Sequence, residues 1–112
     1  MIIYRDDGDV LLVKNRFSRQ KWALPGGGVN RNEGYGQAAS REVLEEVGIK
    51  IDNLRYLGKA SSHESYAKFP VRVFAARASD DDIKRNFEIM ETRWLNREYI
   101  PKEYYALYVS EH

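Results

Sequence analysis

The stretch from residue 27 to residue 49, GGVNRNEGYGQAASREVLEEVGI, constrains the fold more than any other part of this sequence. Four apolar residues recur in it at helical spacing and predict a helix over about residues 37–47, with Gly48 as its C-terminal stop. Their face points away from a group of glutamates, as expected of a helix that packs on a sheet. The apolar residues are Ala39, Val43, Leu44 and Val47.

Three glutamates, Glu42, Glu45 and Glu46, share the opposite face of this predicted helix. Like charges three or four residues apart cost roughly 0.2–0.5 kcal/mol per pair, and the helix dipole disfavours anions in the last turns. Local stability therefore does not explain the arrangement. A divalent cation would explain it, because Mg²⁺ prefers carboxylate oxygens and keeps water and substrate phosphates in its other positions.

Five strand-like segments surround this helix in the sequence. The first two are joined through Asp7-Gly8, which is a strong hairpin signal. After the last segment, Pro101 suits the first turn of a terminal helix that runs toward Val109. Strands interrupted by one helix and closed by another predict an α+β or α/β/α layered fold, not a doubly wound parallel sheet. The predicted strands are residues 1–4, 10–17, 54–60, 69–78 and 92–95.

The composition argues against nucleic acid and membranes as partners. Lys plus Arg number 18 against 17 for Asp plus Glu, so a net charge of +1 provides no field for binding either. The absence of cysteine excludes thiol catalysis and thiolate metal sites. No apolar run approaches the roughly 20 residues of a membrane span. With 112 residues, we expect one cytoplasmic domain over residues 1–112.

The constrained stretch resembles the Nudix box, G-x5-E-x7-R-E-U-x-E-E-x-G-U, in which U is aliphatic. All nine specified positions are occupied, and the segment leads from a loop into a helix, as the motif requires. Residues 22–27, WALPGG, are similar to the segment that precedes the box, and residues 91–95 to the family's last strand. The matching residues are Gly27, Glu33, Arg41, Glu42, Val43, Glu45, Glu46, Gly48 and Ile49.

The resemblance implies a Nudix-type α/β/α sandwich, of α/β class, with a small mixed sheet between helices. It also implies hydrolysis of a nucleoside diphosphate linked to another moiety, with Mg²⁺ or Mn²⁺. The expected metal ligands are the three helix glutamates and, from the family, the main-chain carbonyl of Gly27. Arg41 is expected to orient the box carboxylates, while Glu33 could pair with Arg41 or reach a metal through water. Asn32 replaces a frequent glycine, and Asn tolerates a left-handed backbone.

The general base of such a reaction stays open between two parts of the chain. Glu42 is a candidate in the family, whereas some members use a glutamate before the last strand, where this chain offers Glu88 and Glu91. The spacing from Glu88 to Trp94 is similar to that of the members using this loop. A base works best when its pKa is tuned toward the operating pH, which a site with several carboxylates can provide.

The substrate beyond the diphosphate has no signature in the sequence. Tyr4, Lys14, Arg16 and Phe69 could line its pocket or be ordinary strand residues. Trp22 and Trp94 are predicted to pack in the core and not to stack on a base.

We expect a small nucleotide substrate, with a slight preference for a nucleoside triphosphate, including oxidised forms, cleaved to a monophosphate and pyrophosphate. Dinucleoside polyphosphates, nucleotide sugars and capped RNA are alternative substrates, and a nucleotide-binding module without catalysis is the alternative function. The family usually has longer ends, so a homodimer would cover surface that the short ends expose.

Overall fold

The computed structural model describes residues 1–17, 22–26, 31–60, 71–80 and 82–111. The strands within these ranges are β1 Ile2–Tyr4, β2 Val10–Asn15, β3 Trp22–Ala23, β4 Ile51–Ala60, β5 Val71–Ala78 and β6 Ile89–Leu95. The helices are α1 Tyr35–Glu46 and α2 Lys102–Glu111, with a 3₁₀ turn at Arg97–Tyr99 before α2. No helix in the described ranges has the length and apolar character that a membrane crossing requires.

The strands form one mixed sheet in the spatial order β3-β2-β1-β5-β4, with β6 on the other edge of β2. β1 runs parallel to β5 and antiparallel to β2, which confirms the predicted hairpin. β6 pairs antiparallel with β2 from Val10 to Asn15. Since β1 meets β2 at Val10 while β3 meets it at Val13 and Lys14, β1 and β3 lie end to end along one edge of β2.

Alternation along the strands divides the core into two layers. Ile2 packs with α2 and Ile3 with α1, because successive side chains of a strand point to opposite faces. The α1 layer contains Ile3, Leu11, Val13, Val43, Val47, Ile49, Ala78 and Ile89. The α2 layer contains Ile2, Val10, Leu57, Ala60, Val73, Ala75, Ile100 and Tyr108. The predicted α/β/α sandwich is confirmed.

The edge strand β4 is irregular along its pairing with β5. The register shifts twice, between Asp52 and Arg55 and between Tyr56 and Gly58. Asn53 and Gly58 have positive φ values of 53° and 137°, which is typical of residues at bulges. The strand begins at Ile51, three residues before the predicted start at residue 54.

The ends of α1 follow local hydrogen bonds. The Gly34 amide donates to Gln37 Oε1 at 2.9 Å, which is one half of a capping box and starts the helix before the predicted residue 37. At the other end, Gly48 adopts a φ of 66° and its amide donates to the Val43 carbonyl. Asn32 also has a positive φ, of 64°. The predicted stop at Gly48 is therefore confirmed, as is the left-handed backbone at Asn32.

The predicted apolar face of α1 is wrong at Leu44. Val43 and Val47 are fully buried, whereas Leu44 is 64% exposed because it is rotated about 100° from Val43 around the helix. Ala38, which the prediction left out, is buried and belongs with Val43 and Val47 to the buried arc of the helix. The same arc includes Glu46, which is only 4% exposed, so the three glutamates do not share one solvated face.

A matched pair of substitutions tests this orientation of α1. Val43→Ala should lower the free energy of unfolding by about 2 kcal/mol, because it removes buried apolar volume. Leu44→Ala should change it by less than about 0.5 kcal/mol, because the side chain is mostly in solvent. Urea denaturation of both variants measures the difference, and equal losses would contradict the orientation.

Candidate functional site

Arg41 joins three carboxylates on one side of the site. Its Nε and Nη2 donate to the two carboxylate oxygens of Glu33 at 2.7 and 3.1 Å. Its Nη1 donates to Glu42 Oε1 at 2.8 Å and to Glu45 Oε2 at 3.1 Å. The pKa of Arg41 is held well above its usual range, and the largest cause is hydrogen bonding with Glu33. The sequence left Glu33 either to pair with Arg41 or to reach a metal through water, and the structure shows the pairing with Arg41.

Glu46 is the buried carboxylate of the site. Its Oε2 accepts a hydrogen bond from the Gly26 amide at 2.9 Å. The pKa of Glu46 is raised to about 7, first by burial and then by the charges of Glu42 and Glu88, while the Gly26 hydrogen bond acts in the opposite direction. Two predicted metal ligands and one predicted base are therefore close enough to influence one another's charge.

The loop before β6 is anchored to the C-terminal end of α1. The Lys84 amide donates to the Val47 carbonyl at 2.7 Å, and the Asn86 amide donates to the Glu46 carbonyl at 2.9 Å. Carbonyls at the end of a helix lack intrahelical partners and need other donors. The end of α1 therefore positions the segment that leads to Glu88.

Arg16, just after β2, contacts the other side of this loop. Its amide donates to the Glu88 carbonyl at 2.6 Å, and its Nε donates to the Phe87 carbonyl at 2.9 Å. The guanidinium carbon also lies 4.6 Å from the centroid of the Phe87 ring. These contacts are with the loop, and substrate binding by Arg16 stays a prediction.

The remaining predicted residues make other contacts or lie outside the described ranges. The prediction that Glu91 lies before the last strand is wrong, because Glu91 lies inside β6 opposite Lys14. Its Oε2 is 3.6 Å from Lys14 Nζ, so this candidate base has a basic partner. Tyr4 packs in the α2 layer, with its ring centroid 6.2 Å from that of Tyr108. Gly27 and Phe69 lie outside the described residues.

Comparison with known proteins identifies the family. A family model described as the NUDIX domain matches residues 1–108. The chain belongs to the Nudix family. Nudix hydrolase 7 from Arabidopsis thaliana is 30% identical over 109 residues, which cover 89% of this chain and 39% of that protein. An RNA pyrophosphohydrolase from Pasteurella multocida is 37% identical over 73 residues, which cover 65% of this chain and 36% of that protein. The chain thus spans well under half the length of these relatives.

A solved structure supports the same fold. The Nudix chain superposes on an ADP-ribose pyrophosphatase from Streptococcus suis with a TM-score of 0.74, over 99% of this chain and 88% of that chain. The two sequences are 20% identical, so this likeness concerns the fold alone.

The donor atoms of the Nudix helix suit a hard divalent cation. Glu42 and Glu46 provide carboxylate oxygens, which Mg²⁺ prefers over nitrogen or sulfur donors. In the present arrangement Glu42 is held by Arg41 and Glu46 by the Gly26 amide. Among the described residues, no three Asp, Glu or His side chains are grouped closely enough to hold a metal ion.

Sequence reasoning missed the backbone contacts that assemble the site. A main-chain donor such as the Gly26 amide leaves no side-chain signal in a sequence. The Asn86 turn had one, since Asn side chains often accept from the amide two residues later. Its Oδ1 does accept from the Glu88 amide at 3.0 Å.

The box glycine at position 48 has a spatial reason that a substitution can test. A Cβ there would lie 3.1 Å from the Lys84 carbonyl oxygen, and its φ of 66° disfavours residues with a Cβ. Gly48→Ala should lose about 1–2 kcal/mol of stability and displace the loop. Gly8→Ala is the control, because its φ of 92° is also strained but nothing lies within 4 Å.

Two measurements separate strain from loop displacement in these variants. Urea denaturation should show a loss for both. The amide resonances of Lys84 and Glu88 should shift in Gly48→Ala and stay in place in Gly8→Ala. Unshifted resonances in Gly48→Ala would contradict the close contact between the glycine and the loop.

The raised pKa of Glu46 predicts how stability depends on pH without metal. Between about pH 4.5, the ordinary pKa, and about pH 7, the folded protein binds the Glu46 proton more tightly than the unfolded chain. This contribution therefore makes the free energy of unfolding fall as pH rises through that window. Glu46→Gln should remove it and be more stable than the parent by about 2 kcal/mol at pH 8.

Denaturation with chelator from pH 4.5 to pH 8 measures this effect. The stability difference between Glu46→Gln and the parent should shrink toward zero at the acid end. Glu45→Gln is the control, because that side chain is 54% exposed and its difference from the parent should vary little with pH. A Glu46→Gln variant that is less stable than the parent at pH 8 would refute the burial penalty.

Proposed function

We propose that this Nudix chain hydrolyses a diphosphate linkage in a small nucleotide, with Mg²⁺ or Mn²⁺ as cofactor. The observation that carries the proposal is the carboxylate set of α1, in which Glu46 is buried while Glu42 and Glu45 share one Arg41 guanidinium. Grouping anions in this way costs free energy that a bound cation would offset. The complete Nudix box on the same helix supports this reading.

The metal ligands of the proposal are Glu42, Glu45, Glu46 and the carbonyl of Gly27. A bound cation would neutralise the phosphate oxygens, which otherwise repel an attacking water. The contacts of Arg41 support a positioning role, because one guanidinium fixes the direction of several carboxylates.

Glu88 is the proposed general base, with Glu42 as the alternative. Its support is the loop geometry, because the loop donates hydrogen bonds to carbonyls at the C-terminal end of α1 and accepts hydrogen bonds from Arg16. Glu91 has less support, since it pairs with Lys14. A base near other carboxylates can have a pKa suited to accepting a proton from water at neutral pH.

The finer proposal is a nucleoside triphosphate cleaved to a monophosphate and pyrophosphate. The similarity to an RNA pyrophosphohydrolase favours the 5′-triphosphate end of RNA as a second candidate. Tyr4, Lys14, Arg16 and Phe69 are the proposed substrate-binding residues. A single domain over residues 1–112, a cytoplasmic location and a homodimer stay predictions from the sequence.

A phosphate-release screen tests the reaction class. Nucleoside triphosphates, dinucleoside polyphosphates, nucleotide sugars and 5′-triphosphate RNA are compared with Mg²⁺ and with chelator. We expect metal-dependent hydrolysis of at least one compound. Tight nucleotide binding without hydrolysis of any of them would instead favour a binding module.

Substitutions in the protein, assayed with the compound that the screen finds to be hydrolysed, then assign the general base. Glu88→Gln should lower turnover about 100-fold or more with little change in the Mg²⁺ concentration for half-maximal activity. Glu46→Gln should raise that concentration, because it removes a proposed ligand. Glu98→Gln, at an exposed position, is the control. Loss of turnover in Glu42→Gln but not in Glu88→Gln would reassign the base to Glu42.

A further inference from the structure

Two phenylalanine rings lie in solvent at the loop that contains the proposed base. Phe17 is 73% exposed and Phe87 is 71% exposed, more than any other large apolar side chain in the described ranges. Their ring centroids are 6.0 Å apart, and the ring planes are inclined at 52°. A single exposed apolar side chain is ordinary, but a pair in contact calls for an explanation. Phe17 was predicted only as a strand end, and Phe87 had no predicted role.

An asparagine side chain holds the backbone turn at each ring. Asn15 Oδ1 accepts a hydrogen bond from the Phe17 amide at 2.9 Å. Asn86 Oδ1 accepts one from the Glu88 amide at 3.0 Å, across a turn that contains Phe87. Hydrogen bonds of this kind are typical of defined turns. The local backbone therefore places both rings at the surface.

The loop that contains Phe87 connects the pair to the carboxylates of α1. The Asn86 amide, one residue before Phe87, donates to the Glu46 carbonyl at 2.9 Å. Glu88, the proposed base, is the residue after Phe87. Consecutive Cα atoms are about 3.8 Å apart, so the backbone of Phe87 is one residue from each of these two points. This arrangement suits a nucleotide, in which one ribose separates the base from the first phosphate.

Arg16 links the strand before Phe17 to this loop and covers part of Phe87. Its amide donates to the Glu88 carbonyl, and its Nε donates to the Phe87 carbonyl. The distance of 4.6 Å between its guanidinium carbon and the Phe87 centroid is within the roughly 6 Å of a cation–π contact. Among the described residues, no cation lies over the Phe17 ring. An aromatic ligand would therefore stack mainly on Phe17.

The size of the pair favours a small aromatic ligand over a protein partner. A stable protein interface buries about 800 Å² on each partner. An aromatic side chain provides only about 150–250 Å², so the two rings alone are too small for a subunit contact. They are large enough for a nucleobase, since every base has a flat face that stacks on aromatic side chains.

We propose that Phe17 and Phe87 form the stacking surface for the base of the substrate, with Phe17 as the main contact. The proposal rests on the proposed function and narrows its substrate to compounds that carry a nucleobase, and not to polyphosphates that lack one. Arg16 positions the Phe87 ring and does not itself stack on the base.

Ring-current shifts test the stacking without turnover. The protein carries ¹³C-labelled phenylalanine and is kept in chelator, and the two sets of ring resonances are assigned with Phe17→Leu and Phe87→Leu. At least one of the four common nucleoside monophosphates should shift the ring protons upfield, more strongly for Phe17 than for Phe87. Ribose 5-phosphate, which has no base, should not shift them. The ring of Phe74, whose centroid is 5.2 Å from that of Tyr56, is the internal control and should not move.

Kinetics with the hydrolysed nucleotide separate stacking from a structural role. Phe17→Leu should raise KM about tenfold with kcat nearly unchanged, because stacking contributes to binding and not to the chemical step. Phe17→Tyr should retain the KM of the parent because the ring remains. Tyr56→Leu is the matched control, since it also removes an exposed ring from a tilted aromatic pair, and its KM should equal that of the parent. A lower kcat with an unchanged KM in Phe17→Leu would show that the ring only supports the loop, and would refute the stacking surface.

The outcomes distinguish this proposal from the proposed function. Hydrolysis of nucleotides by a protein whose Phe17 resonances do not move would refute the stacking surface and leave the reaction intact. Upfield shifts in a protein that hydrolyses no compound would support the stacking surface and refute the reaction. A dimeric parent and a monomeric Phe17→Leu variant in sedimentation experiments would assign the pair to a subunit contact, and so refute the proposal.

Discussion

The buried carboxylate of Glu46 is the interaction on which the rest of the site depends. Its side chain accepts from the Gly26 amide in the segment after β3, and its main-chain carbonyl accepts from the Asn86 amide in the loop before β6. One residue thus connects the Nudix helix to the segments on both sides of it. Burying a carboxylate is costly, and the raised pKa of Glu46 indicates that the hydrogen bond from Gly26 offsets this cost only in part. That penalty is what a cation would relieve.

Charge is distributed unevenly over the two faces of the sheet. At the helix, Arg41 contacts three glutamates while Glu46 lies nearby, so negative charge predominates. Beside Trp22, the two cations Lys14 and Arg93 face one carboxylate, that of Glu91, so positive charge predominates.

The sequence predicted local features well and long-range ones poorly. Asp7-Gly8 and the apolar periodicity of residues 37–47 have local causes, so the hairpin and α1 were found. Periodicity alone left the rotation of the helix uncertain by one position, which placed Leu44 in the core and Glu46 outside it. The parallel pairing of β1 with β5 and the amide of Gly26 carry no local signal. The Nudix box identified the helix carboxylates, but the tertiary contacts of Glu88 needed the structure.

The two bulges in β4 have a consequence for the behaviour of the chain in solution. Among the described strands, β2 is paired on both edges, while β4 and β6 each pair with one neighbour. An unpaired edge can recruit a strand from another molecule and begin aggregation. In β4 the shifts at Asn53 and Gly58 interrupt the regular ladder and twist the edge. The longest strand of the sheet is thereby a poor template for intermolecular pairing.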